Sequence, residues 1–244
     1  MKRLKLVFEI NHLFVALSVF VWAMVVFIVI IENNGSESIE LNCFIHNIIG
    51  GVKPIGQLDL MGSIRYTAIT VVPIIYNMNK FIKKRNFRFY MEIYRLCSYR
   101  KWWNQVVFSV ILNSLAYYVI GLVISLVTGI LISDEIQTIK ILGWLLLPIY
   151  IIFASLICVV LSIRFKTTSV YLALVLVLGI SCVVGSKSQG FNPWLLGCYG
   201  MINQCNDNKS FFLWISLQIL ICILLGYWGV VFLKHQNNKG VQKL

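Results

Sequence analysis

Uncharged or nearly uncharged apolar runs of bilayer length recur along this 244-residue chain, and they constrain its fold more than any motif does. Crossing a hydrocarbon core takes about 20 consecutive apolar residues in a helix. Stretches of that kind occur at residues 13–31, 60–78, 106–132, 141–163, 169–185 and 211–233. The second is the weakest, because it contains Arg65 and Pro73, and the fifth is short. The runs are continuous rather than alternating, so they predict helices and not barrel strands. Composition agrees: 59% of the chain is hydrophobic and only 12% is charged, against about 25% charged in an ordinary globular protein. The expected fold is all-α, a polytopic membrane protein with six transmembrane helices in a single domain spanning residues 1–244. The first run is too long for a signal-peptide core and is followed by ENNGSES, which lacks a small-residue cleavage site; a retained helix is expected.

The cations give an orientation. Lys2, Arg3 and Lys5 precede the first run, and eight more fall in residues 80–103. Arg164 and Lys166 separate the fourth and fifth runs, and Lys234, Lys239 and Lys243 follow the sixth. The opposite loops hold only Lys53, Lys140, Lys187 and Lys209. The positive-inside rule therefore places both termini and residues 80–103 in the cytoplasm, and six crossings return both ends to one side.

Absent chemistry narrows the function. No phosphate-binding G-x-x-x-x-G-K-[ST] loop, H-E-x-x-H or C-x-x-C occurs, so ATP hydrolysis and metal binding by this chain have no motif behind them. His12, His46 and His235 fall in three different regions. No run holds Asp, Glu or His well inside it, which argues against catalysis and against proton coupling. Neither a catalytic residue nor a metal ligand is expected. Cys43, Cys198 and Cys205 fall in outer loops, where a disulfide can form. Three thiols cannot all pair and the sequence does not choose among them; Cys198 and Cys205 are one candidate pair.

Few polar residues remain within the runs. Arg65 lies near the outer end of the second, where its stem could snorkel to the headgroups or its charge could face a cavity. Asn113, Ser114 and Gln218 are either pathway-lining residues or interhelical hydrogen-bond formers. Gly226 and Gly229 are candidates for close packing.

The connector KFIKKRNFRFYMEIYRLCSYRKWW, residues 80–103, reads as an amphipathic helix. At 100° per residue, Arg85, Arg88, Arg95 and Tyr99 lie within about 60° of Glu92. Phe87, Phe89, Tyr90, Met91, Ile93, Tyr94, Leu96 and Cys97 fill the rest. Glu92 can pair with Arg88 and Arg95. Trp102 and Trp103 are expected at the headgroup level as interfacial anchors. A nucleic-acid surface is excluded, because the segment is tethered between spans with its aromatics on the apolar face. What remains is a helix lying on anionic lipid, a helix docked on a cytoplasmic partner, or both.

This layout resembles the ABC-2-type permeases, the membrane subunits of bacterial ABC exporters, and in particular those of lantibiotic and other antimicrobial-peptide export or immunity systems. The resemblance covers essentially the whole chain. It rests on length, six spans, cytoplasmic termini, a basic connector ending RKWW, and the outer segment GFNPWLLGCYGMI before the last span. It implies a coupling helix at residues 80–103 that docks on a separate ATPase, with Arg85, Arg88, Glu92, Arg95 and Tyr99 at the contact. It also implies a re-entrant outer element at residues 191–202, a homodimer or heterodimer of permeases, and ATP with magnesium held by the partner ATPase alone. The expected setting is the bacterial plasma membrane and the expected cargo a hydrophobic or amphipathic peptide. The rival reading is a non-transporting immunity or sensor protein that binds a peptide at the outer face.

Overall fold

A computed structural model of the chain describes residues 12–33, 41–53, 57–96, 98–132, 144–187, 196–201 and 208–241. Side chains are described throughout these segments except at residues 33, 42, 86–95, 208–210 and 236–241. The described residues form helices and short connections, with no strand among them. In chain order the helices are α1 (His12–Asn33), α2 (Leu41–Ile49), α3 (Leu60–Leu96), α4 (Tyr99–Ile132), α5 (Leu146–Arg164), α6 (Thr167–Lys187) and α7 (Asn208–Val241). A short 3-10 helix, Leu196–Gly200, lies between α6 and α7.

Five of these helices, α1, α4, α5, α6 and α7, are long and apolar enough to cross a membrane, which makes this a multi-pass helical membrane protein. The weak second run is helical too, but it is one part of the 37-residue α3. The helix does not stop at residue 78, nor does it break at Pro73. A proline inside a helix removes one backbone bond, a loss that neighbouring helices make tolerable in membrane helices. The polarity of α3 has a packing explanation: Arg65, Thr70 and Asn77 are all buried against protein. Asp59 starts the helix, its carboxylate accepting the Gly62 amide at 2.9 Å and the Lys53 amide at 2.9 Å, an N-cap of the usual acidic kind.

α1 and α3 run in opposite directions. Glu32 at the end of α1 pairs with Arg65 near the start of α3, while Phe14 near the start of α1 stacks on Tyr76 further along α3, with ring centroids 3.7 Å apart. The enclosed helix is α5, most of whose spanning stretch is buried, whereas α7 exposes Ile219, Leu220, Ile223, Leu224, Tyr227 and Trp228. In a bilayer such faces meet acyl chains at no hydrophobic cost.

The loop expected after the first span contains a helix. α2 buries Leu41, Phe44, Ile45, Ile48 and Ile49 in the main core, and Gly129 of α4 gives Leu41 and Phe44 their room. Two glycines seat indoles. A Cβ on Gly121 would lie 1.9 Å from the Trp22 ring, and one on Gly229 would lie 2.2 Å from Trp103. Gly226, by contrast, faces open space.

Candidate functional site

Three places gather the polar side chains of the described residues. The first is a hydrogen-bonded network within the bundle that joins α3, α4 and α5. Asn77 Nδ2 donates to Ser114 Oγ at 3.0 Å and to Ser155 Oγ at 3.2 Å. Asn113 Nδ2 donates to Asn77 Oδ1 at 3.1 Å, and Lys80 Nζ donates to Asn113 Oδ1 at 3.4 Å. An ammonium can only donate, so Lys80 fixes which way the Asn113 amide points, and Asn113 in turn fixes Asn77. Asn77, Asn113, Ser114 and Ser155 are all buried. Asn113 thus bonds between helices. Its main partner, Asn77, was not singled out in the sequence, because YNMNK reads as the frayed polar end of a span rather than as its interior.

The second place is the end of the bundle that carries Arg85. The expectation put Arg85 on a stripe facing a partner protein. Instead its guanidinium donates to Ser162 O at 3.0 Å and to Ile163 O at 3.4 Å. These carbonyls belong to the last turn of α5, where a helix has no backbone donors of its own left to offer, and a cation there also suits the helix dipole. Trp102 and Trp103 differ from expectation as well. Both are completely buried and pack with Phe81, Leu156, Ile163 and Leu233, so they anchor helix to helix rather than facing lipid headgroups. Tyr99 packs half-buried on the same cluster. The side chains of Arg88, Glu92 and Arg95 lie outside the described residues, although the helical backbone continues through them.

The third place is the opposite end. Arg65 does not snorkel: it is 3% exposed and paired with Glu32, the one ion pair among the described residues. The expected outer element is described only at residues 196–201, and the rest of 191–202 lies outside the described residues. Gly197, Cys198, Tyr199, Gly200 and Met201 are buried. Tyr66 donates its hydroxyl to Gly197 O at 2.7 Å, and Gln218 Nε2 donates to Tyr199 O at 3.0 Å. Gln218 Oε1 is buried with no partner among the described residues. Close approach explains the glycines. A Cβ on Gly200 would sit 2.6 Å from Tyr66 Oη and from Tyr150, and Gly51, at φ +81°, holds the loop after α2 against Met201. Cys198 carries a free thiol directed at Ser181 O at 3.5 Å, so it is not in the candidate bridge; Cys205 lies outside the described residues. Burial pushes the Cys198 thiol up to about 12.

No group of three or more His, Cys, Asp or Glu that could hold a metal occurs among the described residues. The chain matches no protein-family model, no curated protein and no solved structure.

Proposed function

We propose that the chain is the permease subunit of an ATP-binding-cassette exporter in the bacterial plasma membrane. In this reading α3 supplies a sixth crossing, both termini are cytoplasmic, and the chain works as a homodimer or heterodimer with two ATPase subunits. The observation that carries the reading is the continuity of α3 from the buried Arg65 to the basic connector, together with the hold of Arg85 on the end of α5. A rigid helix joined to the most enclosed helix can carry a displacement from a cytoplasmic motor into the bundle. The apolar spans suit a hydrophobic or amphipathic cargo such as a peptide, with ATP and magnesium bound by the partner.

The test is co-purification with an ATPase encoded beside this chain. The pair is expected to co-purify, and replacing Arg88 and Arg95 by Glu is expected to weaken that association and to lower the permease-dependent ATPase rate at least tenfold. Failure to co-purify, with an unchanged rate in the double variant, rejects the reading.

The packed outer end favours a second reading. α2 and residues 196–201 build an ordered surface there, as an immunity or sensor protein that captures a peptide outside would need. Peptide resistance conferred by this chain without any ATPase selects that reading.

A further inference from the structure

The turn between α5 and α6 presents an unusual trio of side chains. Arg164, Phe165 and Lys166 are all exposed, Phe165 to 54%. The backbone beneath them is fixed on both sides. Phe165 N–H donates to Leu161 O at 2.9 Å, and the Ser169 and Val170 amides donate to Lys166 O at 3.0 and 3.2 Å. Phe165 itself is extended, at φ −104° and ψ 160°. Arg85 holds the root of the turn through Ser162 and Ile163, both of which are buried. The trio is therefore displayed on a rigid base rather than carried on a loose loop.

Lys83, Arg100, Lys101 and Lys234 are exposed at the same end, whereas Glu32 and Asp59, the acids whose side chains are described, both lie at the opposite end; Glu92 is on α3 at this end, with its side chain outside the described residues. Neither Arg164 nor Lys166 has an ion-pair partner among the described residues. Two exposed cations without a described ion-pair partner suit an anionic ligand, and Phe165 selects its source. An exposed ring between two cations matches the layered chemistry of a membrane surface, with phosphate above and glycerol and acyl carbon below. Exposed Leu161 and Leu172 on the two helices that leave the turn continue that apolar surface, which the acidic face of a water-soluble protein would not match.

We propose that the Arg164–Phe165–Lys166 turn binds the phosphate head group of an anionic phospholipid. The two cations contact the phosphate and Phe165 lies at the glycerol level. The proposal requires this turn to sit at a membrane surface and does not depend on a partner ATPase or on transport.

The test measures binding of short-chain phosphatidylglycerol and phosphatidylcholine to the purified full chain in mild detergent, by lipid-dependent thermal shift. Phosphatidylglycerol is expected to bind more tightly. Replacing both cations, Arg164→Gln with Lys166→Gln, is expected to weaken it by about 25-fold, taking about fivefold for each cation near a charged surface, while phosphatidylcholine binding stays unchanged. The swap Arg164→Lys with Lys166→Arg keeps the charge and is expected to restore binding, which separates lost contact from lost folding. Lys83→Gln with Lys101→Gln is expected to change affinity less than about threefold, on the same per-charge scale for residues away from the site. Equal weakening by both glutamine pairs means diffuse surface charge and overturns the site, as does equal affinity for the two lipids. Intact lipid binding in the Arg164/Lys166 glutamine variant, with loss of ATPase co-purification, assigns the turn to a protein partner and also overturns it.

Discussion

At the scale of single residues, the buried charge at position 65 shows what a sequence leaves out. Arg65 looked like a lone cation in an apolar run, and the helical spacing of 33 residues' separation from Glu32 gave no hint of a pair. The partner lies at the rim of α1 with its side chain 31% exposed, while that of Arg65 is 4% exposed. Removing one partner of a buried pair leaves an uncompensated charge, whereas replacing both with neutral groups is often harmless. Glu32→Gln is therefore expected to cost roughly 2–3 kcal/mol, below the usual loss for a fully buried pair because Glu32 is partly solvated. Glu32→Gln combined with Arg65→Met is expected to recover most of it. Thermal unfolding of both variants in detergent checks this, and an additive double variant would show that the two side chains do not interact. Asn113 taught a different lesson: its polarity was visible, but its partner and the direction of its amide follow only from Lys80, which a different turn of α3 brings near it.

At the scale of helices, contact between α1 and α4 and between α4 and α7 depends on missing side chains. Trp22 lies where a Cβ of Gly121 would be, and Trp103 where a Cβ of Gly229 would be. Alanine at either site must push a buried indole or move a helix, and overpacking of this kind costs typically 1–3 kcal/mol. Gly179 and Gly226 have nothing within 4 Å of an added Cβ, so alanine there is expected to be neutral, or to gain up to about 1 kcal/mol from helix propensity. Thermal midpoints of the four alanine variants test the contrast; a similar fall in all four would mean that the indoles are not what the glycines serve. The sequence offered Gly226 and Gly229 as equals, because spacing along a helix does not say which of its faces meets another helix. α2 was missed for a related reason. Nine residues are too few to stand out by periodicity, and its apolar face has meaning only once α4 is beside it.

At the scale of the whole molecule, the two ends differ in chemistry. One is rich in exposed cations, and the other is closed by α2, by the loop around Gly51 and by residues 196–201. Labelling of intact cells with a membrane-impermeant maleimide separates these ends. In single-cysteine variants, exposed Cys43 is expected to react from outside. Cys198 is expected to stay unlabelled until the protein is unfolded, since its thiol is buried and burial raises its pKa, disfavouring the reactive thiolate. Labelling of a cysteine placed at Lys101 from outside the cell would reverse the orientation inferred from the charges.

The sequence by itself determined the solvent and the class of fold. Long uncharged runs can exist only where backbone groups bond internally, and this alone dictates a multi-pass helical membrane protein; each run is helical over most of its length, but α3 continues into the connector, α4 begins seven residues before its run, α5 begins five residues into its run, and α7 ends eight residues after its run. Tertiary structure decided which side chains face one another. Arg85 turned from a prospective partner contact into a clamp on α5, the Trp pair turned from lipid anchors into core, and Arg65 acquired Glu32. The physical reason is that hydropathy is a property of single residues and survives reading in one dimension. Pairing of polar groups depends on how helices rotate and cross, and these are set by close packing of distant residues such as Gly121 against Trp22 and Gly229 against Trp103.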